Sequence, residues 1–229
     1  MLKTIFSLLA ISICLFSVLV LPVIADDEVP ELNQAQILIF MGDHLKNVSP
    51  GHTLTYSFSS RAQDQAEIKD NIRMRVTGVA QDGGRDLDFE FLSGNRRLPF
   101  PPARGYNGNP ITVQFLERDV QDMAKATGGS RTYIRNRVRN AFMNPQMRDT
   151  KISYDGKEID GVEITVKPFT NDPRAQAELS EFVNKHYRFV YSEDIPGGLF
   201  SIHITVPGNA APKLQEELTF RSLDLTNSS

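Results

Sequence analysis

The chain lacks most of what familiar chemistry requires. Of its 229 residues, one is cysteine, four are histidine and none is tryptophan. Cys14 lies inside an apolar N-terminal stretch; once that stretch is removed the chain has no disulfide, no thiolate nucleophile and no thiolate metal site. His44, His52, His186 and His203 fall in no metal spacing such as H-x₃-H or H-E-x-x-H, so no metal is expected. There is no G-x-S-x-G elbow, no phosphate-binding loop and no dinucleotide fingerprint, hence no expected cofactor. Excess positive charge is missing too. A net charge of −3 argues against general nucleic-acid binding, which relies on a basic surface to displace counterions. Repeats, low-complexity tracts and long polar linkers are also absent, which makes one domain the default.

What is present begins with an export pattern. Met1-Leu2-Lys3 is a short positive start, and Ile5 to Ile24 carry no charge. Pro22-Val23-Ile24-Ala25 then precedes Asp26-Asp27-Glu28, with Val23 and Ala25 at the small-residue positions a signal peptidase reads. The expected organisation is a signal peptide over 1–25, a lead-in over 26–50 and a single domain over 51–229. An uncleaved apolar anchor competes with this reading, because about 20 apolar residues span a bilayer. Pro22 and the abrupt acidic switch favour cleavage. Removing Lys3 with the leader makes the remainder slightly more acidic. The export pattern implies the periplasm of a bacterial host, or secretion otherwise.

The rest of the chain alternates. Leu54, Tyr56 and Phe58 interleave with polar residues, as do Ile72, Met74 and Val76, and Leu87, Phe89 and Phe91. A two-residue turn at Gly83-Gly84 predicts a hairpin with Val76 opposite Phe91 and arginines beside carboxylates on the outer face. Asn109-Pro110 opens a helix whose apolar stripe includes Phe115, Leu116, Val120 and Met123. Gly128-Gly129 stop it and Ser130 caps a second helix, giving an inserted αα-hairpin. Asn171-Asp172-Pro173 starts a further helix, and Pro196-Gly197-Gly198 turns a second hairpin that pairs Phe189 with Ile202. The expected class is α+β: a mainly antiparallel sheet, with strong half-barrel curvature as one option, whose apolar face is covered by these helices.

Two groups of residues stand out as candidate sites. Gly129, Ser130, Arg131, Arg135 and Arg139 put a glycine before a helix start and arginines along one helical face, a pattern able to hold an anion. The ordinary alternative is a helix stop, a cap, and arginines paired with Glu117, Asp119 or Asp122. Tyr56, Phe58, Phe89, Phe91, Tyr187, Phe189, Tyr191 and Phe200 form an aromatic apolar face, which is either packed core or the lining of a cavity. Asp86, Asp88 and Glu90 share a strand face, as paired catalytic carboxylates do, yet Arg73 and Arg75 are expected opposite them. His186 and His203 on the second hairpin read as solvated strand residues more readily than as metal ligands.

The order of elements is similar to that of periplasmic lipoprotein carriers, which shelter acyl chains inside a half-barrel; the similarity rests on layout and on no particular residue. It implies a non-catalytic binding protein for an apolar or lipid-like ligand. An envelope accessory protein, acting on another protein through its αα-hairpin or an edge strand, is the competing expectation, and a hydrolase is the weakest. A cavity beside the aromatic face separates the first two.

Overall fold

The computed structural model describes residues 31–225, and the packed unit begins at Leu32. Residues 1–30, with the expected signal peptide and Cys14, lie outside the described residues. Nine strands form one open antiparallel sheet: β1 (His52–Ala62), β2 (Ile68–Val79), β3 (Arg85–Phe91), β4 (Ala103–Tyr106), β5 (Gln146–Tyr154), β6 (Lys157–Val166), β7 (His186–Tyr191), β8 (Leu199–Val206) and β9 (Leu214–Leu225). Their order is β4-β3-β2-β1-β9-β8-β7-β6-β5, so β9 bridges two meanders and β4 and β5 are the edges. The helices are α1 (Gln34–Gln36), which continues as a π turn over Ile37–Met41, then α2 (Ile111–Thr127), α3 (Arg131–Ala141) and α4 (Pro173–Glu178). The fold is α+β, as the alternation predicts.

The sheet bends around α2. Five strand-to-strand steps separate β3 from β7, about 24 Å on a flat sheet. A helix is only about 10–12 Å wide. Nevertheless Phe115 of α2 lies 6.5 Å, ring to ring, from Phe91 of β3, while Thr112 and Asp119 of the same helix hydrogen-bond Tyr191 and Tyr187 of β7. One helix reaches both strands only if the sheet wraps it. Local sequence sets up that helix: the Asn109 side chain accepts from the Ile111 N–H at 3.1 Å, and Gly128, at φ 69°, ends it in the left-handed conformation. Ser130 then caps α3 through the Tyr133 N–H, and Asp172 caps α4 ahead of Pro173.

Three expectations change. The first hairpin pairs Val76 with Leu87 and Ile72 with Phe91, not Val76 with Phe91. Its turn is wider than Gly83-Gly84, closing from Ala80 to Gly84, and a register shift between Val76 and Gly78 takes up a residue. The slip spans an even number of residues, so the apolar side chains keep their face and Arg73 still meets Glu90, at 3.4 Å. The stretch 99–109, whose three prolines predict a loop, contains β4. Finally, the described part of the 26–50 lead-in is core: Ala35, Ile39, Leu45 and Val48 are all buried in the main hydrophobic cluster. Their apolar positions were too few for periodicity to separate helix from strand. The second hairpin pairs Phe189 with Ile202, as expected.

Candidate functional site

The concave face is filled. Tyr56, Phe58, Phe91, Tyr187, Phe189 and Tyr191 are each at most 3% exposed and belong to one core with Phe115, Val120 and Met123 of α2. Phe89 is half-buried opposite Met74. Phe200 is also half-buried, and a register shift leaves it without a partner on β7 while Leu199 takes the buried place opposite Tyr191. The expected apolar face therefore exists, but α2 occupies the space a ligand would need.

Polar groups enter that core in paired sets, with the buried Arg118 Nε left without a hydrogen-bond partner. Lys185 is fully buried and donates to Asp119 Oδ1 at 2.5 Å, while Tyr187 donates to Asp119 Oδ2 at 2.6 Å. Arg118 forms a two-pronged pair with Glu216, which also accepts from Ser60 at 3.0 Å, and its guanidinium lies 4.5 Å from the Phe115 ring centre. Burial holds the Tyr187 hydroxyl far above its ordinary titration, helped by the Asp119 charge. These pairs fix α2 in the trough of the sheet.

One end of the sheet is open instead. There a recess of about 790 Å³ lies between the Gly42–Asn47 loop, the β6 and β7 ends and the Pro196-Gly197-Gly198 turn. That volume is in the range of small-molecule sites, roughly 300–1,000 Å³. Leu38, Val162 and Leu223 line it half-buried, together with buried Tyr191 and Ile195. The glycine pair makes the walls meet: a Cβ on Gly197 would stand 2.4 Å from Leu54 Cδ2, and one on Gly198 would stand 2.7 Å from His44 Cδ2. The positive φ angles of both, 76° and 71°, add a second reason for glycine.

His44 sits at the inner corner. Its ring centre is 5.2 Å from that of Tyr191, and its Nδ1 accepts from the Asn109 N–H at 3.2 Å, which places the proton of the neutral ring on Nε2. Burial lowers its pKa against the opposing pull of the Leu38 carbonyl and the Asp43 carboxylate. Asn109 joins this corner to the helix: its side-chain amide donates to Tyr56 Oη and to the Gly197 carbonyl, both at 2.8 Å, while its side-chain oxygen caps α2. The recess wall and the plug helix share one buried residue.

The arginine face of α3 is dispersed. Arg135 makes a double contact with Glu117 at 2.6 and 2.9 Å, the neighbouring-helix pairing expected of an ordinary αα-hairpin. That contact also holds the Glu117 carboxyl below its usual range. Asp119 and Asp122, the other acids considered, take no arginine of α3; Asp119 serves Lys185. The Gly129 N–H is occupied by Thr127 Oγ1 and the Ser130 hydroxyl by the Tyr133 N–H. Exposed Arg131 and Arg139 are two turns apart, about 12 Å along the axis.

The other constellations are paired off. Asp86 accepts from the Gly105 N–H, Asp88 lies 3.7 Å from Arg104, and Glu90 meets Arg73. His203 stands opposite Arg188, and burial followed by that charge lowers its pKa. No three acidic or histidine side chains among the described residues are grouped to hold a metal. No helix among them is long and apolar enough to cross a membrane.

No family model matches this chain. No curated protein matches it either. Two solved structures share its general layout at low similarity. The Mycobacterium tuberculosis lipoprotein LppX is 8% identical, with 75% of this chain and 85% of that one covered and a TM-score of 0.33. A LolA-superfamily protein from Nitrosomonas europaea is 11% identical, with 85% and 94% covered and a TM-score of 0.23. At those scores neither neighbour carries a functional argument.

Proposed function

We propose that this is an exported, non-catalytic binding protein whose small, partly apolar ligand occupies the recess beside Tyr191. The observation that carries the reading is the contrast in packing: an aromatic trough closed by α2, and an open recess of about 790 Å³ with an apolar wall at the sheet end. A rigid wall suits binding, since β6, β7 and β8 are held by antiparallel ladders and Asn109 pins the Gly197 turn. Leu38→Trp fills the recess from its half-buried edge. Native mass spectrometry of the protein purified gently from its exported fraction should show a bound amphiphile that this variant loses. A bound mass retained in full by the folded variant would place the ligand elsewhere.

A second reading draws on a separate surface. Ile37, Phe40 and Met41 are 50%, 40% and 65% exposed on the π turn, and Met143 is 54% exposed beyond α3. The two segments meet, since Phe40 packs edge-on against Phe142 at 5.1 Å and Asn33 donates to the Phe142 and Met143 carbonyls. Such a patch suits an envelope protein partner. Crosslinking through a photoreactive side chain at Met41 tests it; a protein that stays uncrosslinked in its own envelope argues against this reading.

A further inference from the structure

The recess has a charge of its own. Its charged lining consists of Asp43, Asp149, Asp160, Glu193 and Asp194 against Lys46, all exposed at the mouth above the apolar wall. Lys151 neutralises Asp160 at 2.5 Å. The other four carboxylates have no ion pair among the described residues. Matched acids elsewhere include Glu163, which takes both Arg148 and Arg188, and Asp172, which takes Arg137. What sets the recess apart is that its unmatched carboxylates gather about one apolar-walled cavity, with a single lysine in the lining against them.

Taking the recess as the binding site, we infer that its ligand is an organic cation: an ammonium or similar group carried on an apolar body. Like charges around a concave mouth reinforce one another's field, which draws in a cation and repels a fatty-acid carboxylate or a phosphate headgroup. The acids are not grouped closely enough to chelate a metal ion, so the field is spread over an extended ligand. The body meets Leu38, Val162 and Leu223. The neutral state of His44 belongs to the same arrangement, because a charged imidazolium at the inner corner would oppose the incoming ligand. Lys46 is the single opposing charge in the lining.

Three probes of one chain length separate the charge from the cavity: octylammonium, octan-1-ol and octanoate, each titrated calorimetrically onto the full exported protein at low salt. Octylammonium should bind about tenfold or more tighter than octan-1-ol, and octanoate weakest of all. Glu193→Gln with Asp194→Asn should weaken octylammonium by about fivefold or more and leave octan-1-ol unchanged. Leu38→Trp, checked for an unchanged melting transition, should weaken all three. Octan-1-ol or octanoate binding as tightly as octylammonium, with Leu38→Trp blocking them, overturns the cationic class and leaves the recess standing. Binding that Leu38→Trp does not touch, or no binding by any probe, removes the recess and the inference together.

Discussion

The trough around α2 and the recess beside Tyr191 are built from similar residues and end in opposite states. Both have aromatic and aliphatic walls supplied by alternating strands, and Tyr191 belongs to both. In the trough a 17-residue helix supplies Phe115, Val120 and Met123, and its Arg118 and Asp119 find buried partners. At the sheet end the covering segment is a short π turn and loop, and the space stays open. Side-chain composition does not decide between core and cavity. The geometry of the covering element does.

Breaking the trough should cost most. Phe115→Ala empties the contact with Phe58 and Phe91 and should destabilise by about 3–5 kcal/mol in urea unfolding. Asp119→Ala should follow at about 3–5 kcal/mol, because it strands the fully buried Lys185 without a counter-charge. Replacing both, as Asp119→Leu with Lys185→Met, should recover part of that loss, with the Tyr187 hydroxyl left without its acceptor. A double variant as unstable as the single one would show that the pair does more than neutralise itself.

The recess should respond in the other way. Glu193→Gln and Asp194→Asn are exposed changes, expected within about 0.5 kcal/mol of the parent in the same unfolding assay. Their effect belongs in ligand binding. The α3 face provides a control of similar size: Arg135→Ala breaks an exposed pair with Glu117 and should cost about 0.3–1 kcal/mol, and Arg131→Glu should leave probe binding unchanged.

Acid should sharpen the comparison through His44. Burial puts its folded pKa below the ordinary 6.5, so the unfolded chain takes up the proton more readily. The stability tied to the neutral ring is fully present above about 6.5 and declines as pH falls from there toward the folded value. His203 adds a parallel slope for the same reason of burial. Melting scans from pH 7.5 to 5.5 should therefore fall, and His44→Gln should flatten part of the slope. A slope unchanged in that variant would remove His44 as its source.

Much of the fold was readable from local signals. Alternation placed the strands, the Asn109-Pro110, Ser130 and Asp172-Pro173 signals placed the helix starts, and Phe189 opposite Ile202 followed from the Gly197-Gly198 turn. The first hairpin slipped because turn length, which depends on how Ala80 closes on Gly84, is set by backbone geometry that residue type constrains only weakly. The recess was hidden for a different reason. Leu38 and His44 come from a segment read as lead-in, Asp149 and Asp160 from a hairpin, and Glu193 and Asp194 from a turn. No spacing along the chain joins them. Buried Lys185 was equally silent, since nothing local marks a lysine whose partner lies 66 residues away.

Chemical-shift mapping with octylammonium on isotope-labelled protein tests the central claim most directly, because it reports where an apolar ligand sits. The account predicts saturable shifts at Leu38, Val162, Tyr191, Ile195 and Leu223, with Phe58, Phe91 and Phe115 unmoved. Shifts centred on those three phenylalanines would mean that α2 yields its trough to the ligand, and would contradict the assignment of the recess as the binding site.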